Sequence, residues 1–90
     1  MAVYLVTLDL SRDDKHYKSL TAALKRHTHC RPQPRVWLLD SARKASELRE
    51  ELRAHVTPKD GIVVAHLKPQ IAMMGETCSD WLKDDARSWE

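Results

Sequence analysis

The stretch Ala2-Val3-Tyr4-Leu5-Val6-Thr7-Leu8-Asp9-Leu10 constrains the fold more than any other part of the chain. Its β-branched and aromatic content, and the helix-start signal Ser11-Arg12-Asp13-Asp14 that follows, predict a strand. Both of its faces, Val3/Leu5/Thr7 and Tyr4/Val6/Leu8, are mostly apolar. A strand with one wet face would alternate, so this one is expected to be covered on both sides, as central strands are. It stops on a carboxylate, Asp9, which puts a candidate chemical group at the rim of the core.

Two later runs share this character: Arg35-Val36-Trp37-Leu38-Leu39-Asp40 and Ile62-Val63-Val64-Ala65-His66-Leu67. Before the second strand, residues 14–27 carry Tyr17, Leu20, Ala23, Leu24 and His27 at helical spacing, behind a cap from Asp13 or Ser11. Lys15, Lys18, Lys25 and Arg26 form the opposite, solvated face. Cys30-Arg31-Pro32-Gln33-Pro34 has two residues without an amide donor, which makes it an edge strand or an extended lead-in. Residues 45–55 repeat the helical pattern with Ala45, Leu48, Leu52 and Val56 inward, and with Glu47, Arg49, Glu50, Glu51 and Arg53 outward. Pro58 and Gly61 punctuate its exit. Beyond Pro69, residues 71–74 suggest a short strand that Gly75 breaks. Thr77 or Ser79 is then placed to cap a last helix holding Trp81, Leu82, Asp85 and Trp89.

This order predicts an α+β, ferredoxin-like βαββαβ sandwich with two helices on one face of an antiparallel sheet, plus a C-terminal helix. The core is expected over residues 1–68, with an extension over 69–90. The face bearing Tyr4, Val6 and Leu8 is expected to lie away from the two helices. Something apolar must cover it, either the tail with its tryptophans or a second copy, and a two-fold homodimer with the tail helping is the expectation.

Ninety residues make one domain. A net charge of +2 does not by itself indicate a nucleic-acid binder. The amino terminus enters a strand directly, with no basic leader, and Cys30 and Cys78 lie far apart, so a reduced, cytoplasmic protein is expected. No apolar run approaches the ~20 residues of a membrane span. Two glycines leave little room for a phosphate-cradling loop.

Taken together, Tyr4 to Leu10, then Tyr17, Leu20, Ala23, Leu24 and Lys25, then Val36-Trp37-Leu38-Leu39-Asp40-Ser41, resemble a known family. So do Leu48-Arg49 with Leu52, Asp60 leading into Ile62-Val63-Val64, and Asp80-Trp81-Leu82-Lys83. The chain resembles the small ferredoxin-like endoribonucleases of CRISPR adaptation and the virulence-associated protein D toxins, and most of all a bacterial and phage branch of about this length. In the CRISPR family the aspartate ending the first strand meets its mate across a dimer axis and holds a divalent metal. Asp9 occupies that place. Two symmetry-related carboxylates with completing waters suit Mg²⁺ or Mn²⁺, which polarises a phosphodiester and activates water. Arg31-x-Gln33-x-x-Val36-Trp37 resembles the family's Arg-x-Gln-x-Ser-Val-Phe segment, with Arg35 where that pattern has serine.

The resemblance implies a homodimeric, metal-dependent nuclease acting on RNA or DNA, with RNA favoured, in which Lys15, Arg31 and Arg35 steer phosphate. The alternative is a catalytically silent dimer that binds nucleic acid or a protein partner in a phage-defence or toxin–antitoxin system. The residues themselves leave plainer roles open. Asp9 can cap a turn, Asp13 and Asp14 can cap a helix, and Asp40 assists a metal at Asp9 only if the strand ends cluster. His27-x-His29-Cys30 lacks a second ligand cluster for zinc. His66 is expected in the core, or as a general acid if it approaches Asp9. Trp37, Trp81 and Trp89 are packing anchors before they are base-stacking platforms. Nothing in the sequence sets up a serine or cysteine nucleophile.

Overall fold

The structure is a computed structural model and describes residues 1–75, 78–87 and 89. Strand β1 (Ala2–Asp9) runs into a 3₁₀ turn (Asp14–His16) and helix α1 (Lys18–Lys25). Strands β2 (Thr28–Gln33) and β3 (Val36–Ser41) form a hairpin, helix α2 (Ala45–Arg53) follows, and β4 (Gly61–His66) closes the core. A short helix α3 (Ser79–Lys83) lies in the tail. The sheet order is β2-β3-β1-β4 with every pairing antiparallel, which is the ferredoxin-like α+β arrangement.

The first helix begins later than its periodicity suggests. Residues 14–16 wind as 3₁₀ and α1 starts at Lys18, with no side chain capping either start. Lys44 N–H donates to the Glu47 carboxylate at 2.9 Å, which satisfies one orphan amide at the start of α2. On the edge strand β2, the register with β3 shifts between Cys30 and Gln33, where Pro32 withholds its donor. Residues 71–74 form no strand, and α3 is a five-residue helix with Cys78 at its N-cap. Of the two capping residues expected there, Ser79 is already inside the helix, and Thr77 lies outside the described residues.

The helix-facing side of the sheet carries Ala2, Tyr4, Val6 and Leu8 of β1 with Trp37 and Leu39 of β3, packed on Tyr17, Leu20, Ala23, Leu24, Leu48 and Leu52. The expectation had the two faces of β1 interchanged, because both are apolar and alternation alone does not say which one meets the helices. Val3, Leu38 and Cys78 are equally buried and belong to the opposite face. The described residues from 67 onward fold back across that face, beginning with Leu67 N–H bonded to the Val3 carbonyl at 2.9 Å. A Cys30–Cys78 disulfide, with Cα atoms 6.0 Å apart, ties this tail to β2. This corrects the expectation of two reduced, separate cysteines, since the fold brings together residues that sequence distance kept apart.

Under the tail, Arg87 Nη1 donates to Asp40 Oδ2 at 3.0 Å, with both side chains buried. The guanidinium also lies 4.2 Å from the centroid of the Trp81 ring. Asp40 Oδ1 and Arg87 Nε have no hydrogen-bond partner among the described residues. Breaking one side of such a pair is expected to be worse than removing both. Asp40→Ala should lower stability by about 3 kcal/mol, and a double Asp40→Leu, Arg87→Met variant should recover most of that loss in urea denaturation. A double variant no more stable than the single would refute this account of the pair.

Candidate functional site

Asp9 ends β1 opposite Gly61 of β4, and its side chain is exposed. Alternation along β1 places it on the second face with Val3, Leu5 and Thr7, away from the helices. The tail covers Val3, Leu38 and Asp40 but leaves Asp9 open, together with Val63, which is 59% exposed. Among the described residues the Asp9 carboxylate has no hydrogen-bond or ion-pair partner.

The structure brings only some of the other expected site residues to this end of the sheet. The Arg35 carbonyl accepts from Leu8 N–H at 2.9 Å, so Arg35 stands one strand from Asp9. Its guanidinium donates to the Arg12 carbonyl at 3.2 Å and pairs with Asp14 at 3.2 Å. Lys15 lies in the 3₁₀ turn beyond β1, 3.9 Å from Asp13. Exposed pairs of this kind contribute roughly 0–1 kcal/mol, so both cations can exchange these partners for phosphate. Arg31 stands apart, on edge strand β2, where it donates to the Pro34 carbonyl and lies 4.7 Å from the centroid of the Trp37 ring.

The conditions under which Asp40 or His66 would serve Asp9 are not met. Asp40 pairs with Val3 and His66 with Tyr4, so both sit at the far end of the strands from Asp9, about 20 Å away at the rise of an extended chain. Antiparallel pairing forces this separation, and neither residue can assist chemistry at Asp9. His66 is also exposed rather than in the core, with its ring 5.5 Å from that of Tyr4. His27 lies beyond the last residue of α1 and bonds the Glu51 carboxylate of α2 at 2.8 Å, with both side chains largely buried.

Sequence reasoning missed the residue that fixes the Asp9 end of the sheet, Asp60. Its Oδ1 accepts from Ser11 N–H at 2.8 Å, the Ser11 hydroxyl at 2.8 Å and the Tyr17 hydroxyl at 2.9 Å, while Oδ2 accepts from Thr57 N–H at 2.8 Å. One carboxylate therefore joins the turn after β1, the start of α1 and the turn before β4. The available signal was the segment Thr57-Pro58-Lys59-Asp60-Gly61, whose turn chemistry often recruits an aspartate to bond local amides.

Burial acts to raise the pKa of Asp60, but the hydrogen bonds from Thr57, Ser11 and Tyr17 outweigh it and hold the carboxyl far below the usual carboxylate range. With the folded pKa depressed, the stabilisation is complete above the unfolded value of about 4 and is lost as pH falls below it. Asp60→Asn should therefore lower the urea midpoint at neutral pH and flatten its decline below about pH 4. An unchanged acid slope in the variant would assign the decline to other groups.

Among the described residues no cluster of three or more His, Cys, Asp or Glu side chains is arranged to hold a metal. No helix among them is long and apolar enough to cross a membrane. No protein-family model matches the chain, and no curated protein does. The fold is similar to the crystal structure of a hypothetical protein, TT1823, from Thermus thermophilus, with a TM-score of 0.66 and 24% sequence identity. The match covers 82% of this chain and 90% of that one, and at this identity it establishes the shared fold and nothing further.

Proposed function

We propose that the chain is a homodimeric, metal-dependent endonuclease acting on RNA, with Asp9 as the metal-binding residue of each protomer. The observation that carries this reading is the position of Asp9. It is an exposed carboxylate without a side-chain partner among the described residues, on the part of the second sheet face that the tail leaves open. A second copy stacked there about a two-fold axis brings two such carboxylates together, alongside apolar contact from Val63. One carboxylate per chain makes a poor site, whereas two hard oxygen donors with water suit Mg²⁺ or Mn²⁺. When bound, the metal supplies Lewis acidity and an activated water. Arg35, which pairs with Asp14 and bonds the Arg12 carbonyl, and Lys15, which lies beside Asp13, are the cations we assign to the phosphate backbone.

A specific observation favours a second reading. Among the described residues no group of three or more His, Cys, Asp or Glu side chains is arranged to hold a metal, at Asp9 or elsewhere, which suits a dimeric module that binds nucleic acid without cutting it. Purified protein incubated with single-stranded RNA and Mg²⁺, with and without EDTA, separates the two. EDTA-sensitive cleavage supports the enzyme. Binding without cleavage, with affinity falling steeply as salt rises, supports the module. Neither cleavage nor binding would exclude both.

A further inference from the structure

We propose that the Cys30–Cys78 disulfide is a redox clasp. Intact, it holds the carboxyl-terminal segment on the second face of the sheet, and reduced, it lets that segment leave while the four-stranded core stays folded. This goes beyond the nuclease reading and depends on neither RNA nor metal.

The clasp joins two parts of the chain that otherwise hold each other lightly. It links edge strand β2 to the residue just before α3, across a sequence separation of 48. The non-covalent hold of the tail is thin. No residue of α3 is buried, Ile71 is 36% exposed and Met74 is 92% exposed. Where Ile71 to Met74 pass over Leu5, Val36 and Leu38 they leave an open groove of about 430 Å³ instead of packing closely. Polar anchors of the segment include Leu67 N–H to the Val3 carbonyl, at its root, and the Arg87–Asp40 pair near its end. A segment with few buried apolar contacts belongs to the low-stability end of a structure and opens locally.

The core, by contrast, does not need the tail. The helix-side cluster is built entirely from β1, α1, β3 and α2 with Tyr17, and its flanking apolar residues end at Val64. Losing the tail removes cover from Val3, Leu38 and Asp40 on the other face and takes nothing from that cluster.

The chemistry balances with a dithiol as reductant. Cys78 is fully buried, whereas Cys30 is half-buried on the sheet edge and is the more exposed residue of the pair. A thiolate of the reductant attacks the Cys30 sulfur, the bond between the two cysteines breaks and Cys78 leaves as a thiolate. The second thiol of the reductant then displaces Cys30 from the mixed disulfide. Two electrons and two protons end on Cys30 and Cys78, and the reductant departs as its own disulfide.

Amide hydrogen exchange read by mass spectrometry tests the proposal on the full chain, without RNA or metal. The sample purified without reductant is compared with the same sample in dithiothreitol and with a Cys30→Ser, Cys78→Ser double variant. Peptides spanning residues 67–83 should exchange at least about tenfold faster in the reduced protein and in the variant, with β1, β3 and β4 unchanged. Equal exchange of the tail in all three samples would overturn the clasp, because packing and the Arg87–Asp40 pair would then suffice. Loss of protection in β1 and β3 together with the tail would also overturn it, since the bridge would be a staple of the whole fold. So would full reactivity of both thiols in protein purified without reductant.

Discussion

Asp9→Ala is expected to reduce Mg²⁺-dependent cleavage of single-stranded RNA by roughly two to three orders of magnitude, the scale on which removal of one charge-stabilising group acts. The same substitution should leave the urea midpoint nearly unchanged, since the side chain is exposed and bonded to nothing else among the described residues. The two readouts together give the test its force. A loss of activity with unaltered stability assigns the carboxylate to chemistry. Cleavage that survives the substitution points to other residues or a contaminant and leaves the binding module as the better reading. Asp9→Asn sharpens the comparison, because it keeps the shape of the side chain and removes the negative charge a divalent ion requires.

The second large effect concerns Trp37, which is 1% exposed in the helix-side core and is bordered by His29, with its ring centroid 5.4 Å away, and by Arg31. Truncation of so large a core side chain, Trp37→Ala, should cost about 4 kcal/mol. Trp37→Phe should behave quite differently. The indole N–H has no acceptor among the described residues, so the wild-type protein already bears the penalty of a buried, unsatisfied donor, typically about 1–3 kcal/mol. Phenylalanine removes that donor and leaves a small void, and the two changes largely offset each other. Equilibrium denaturation should place the phenylalanine variant within about 1 kcal/mol of wild type. A phenylalanine variant as unstable as the alanine one would mean that the N–H has found an acceptor and that its bond matters.

The strands and helices were legible because their signals are local. Runs of β-branched residues, prolines that bar Cys30 to Pro34 from the sheet centre and helical stripes such as Leu48 and Leu52 each act within a few residues. The position of Asp9 at a sheet end was legible for the same reason. The choice of face for β1 was not, since Val3/Leu5/Thr7 and Tyr4/Val6/Leu8 differ too little in hydrophobicity to say which one meets the helices. Contacts that close long loops were equally hidden. Asp60 reaches Ser11 and Tyr17, Arg87 reaches Asp40 and Cys78 reaches Cys30, and none of these pairings leaves a periodic trace. The opposite directions of β1 and β3 then settled the place of Asp40, which is near Asp9 in type but at the other end of the sheet.

The tryptophans are divided between the two parts of the molecule in a way that makes them optical probes. Trp37 is sealed in the helix-side core, whereas Trp81, stacked under Arg87, and Trp89 ride on the tail. In a Trp37→Phe background, emission from the remaining indoles reports on the tail alone, so a red shift on adding reductant would follow its detachment in real time without any label.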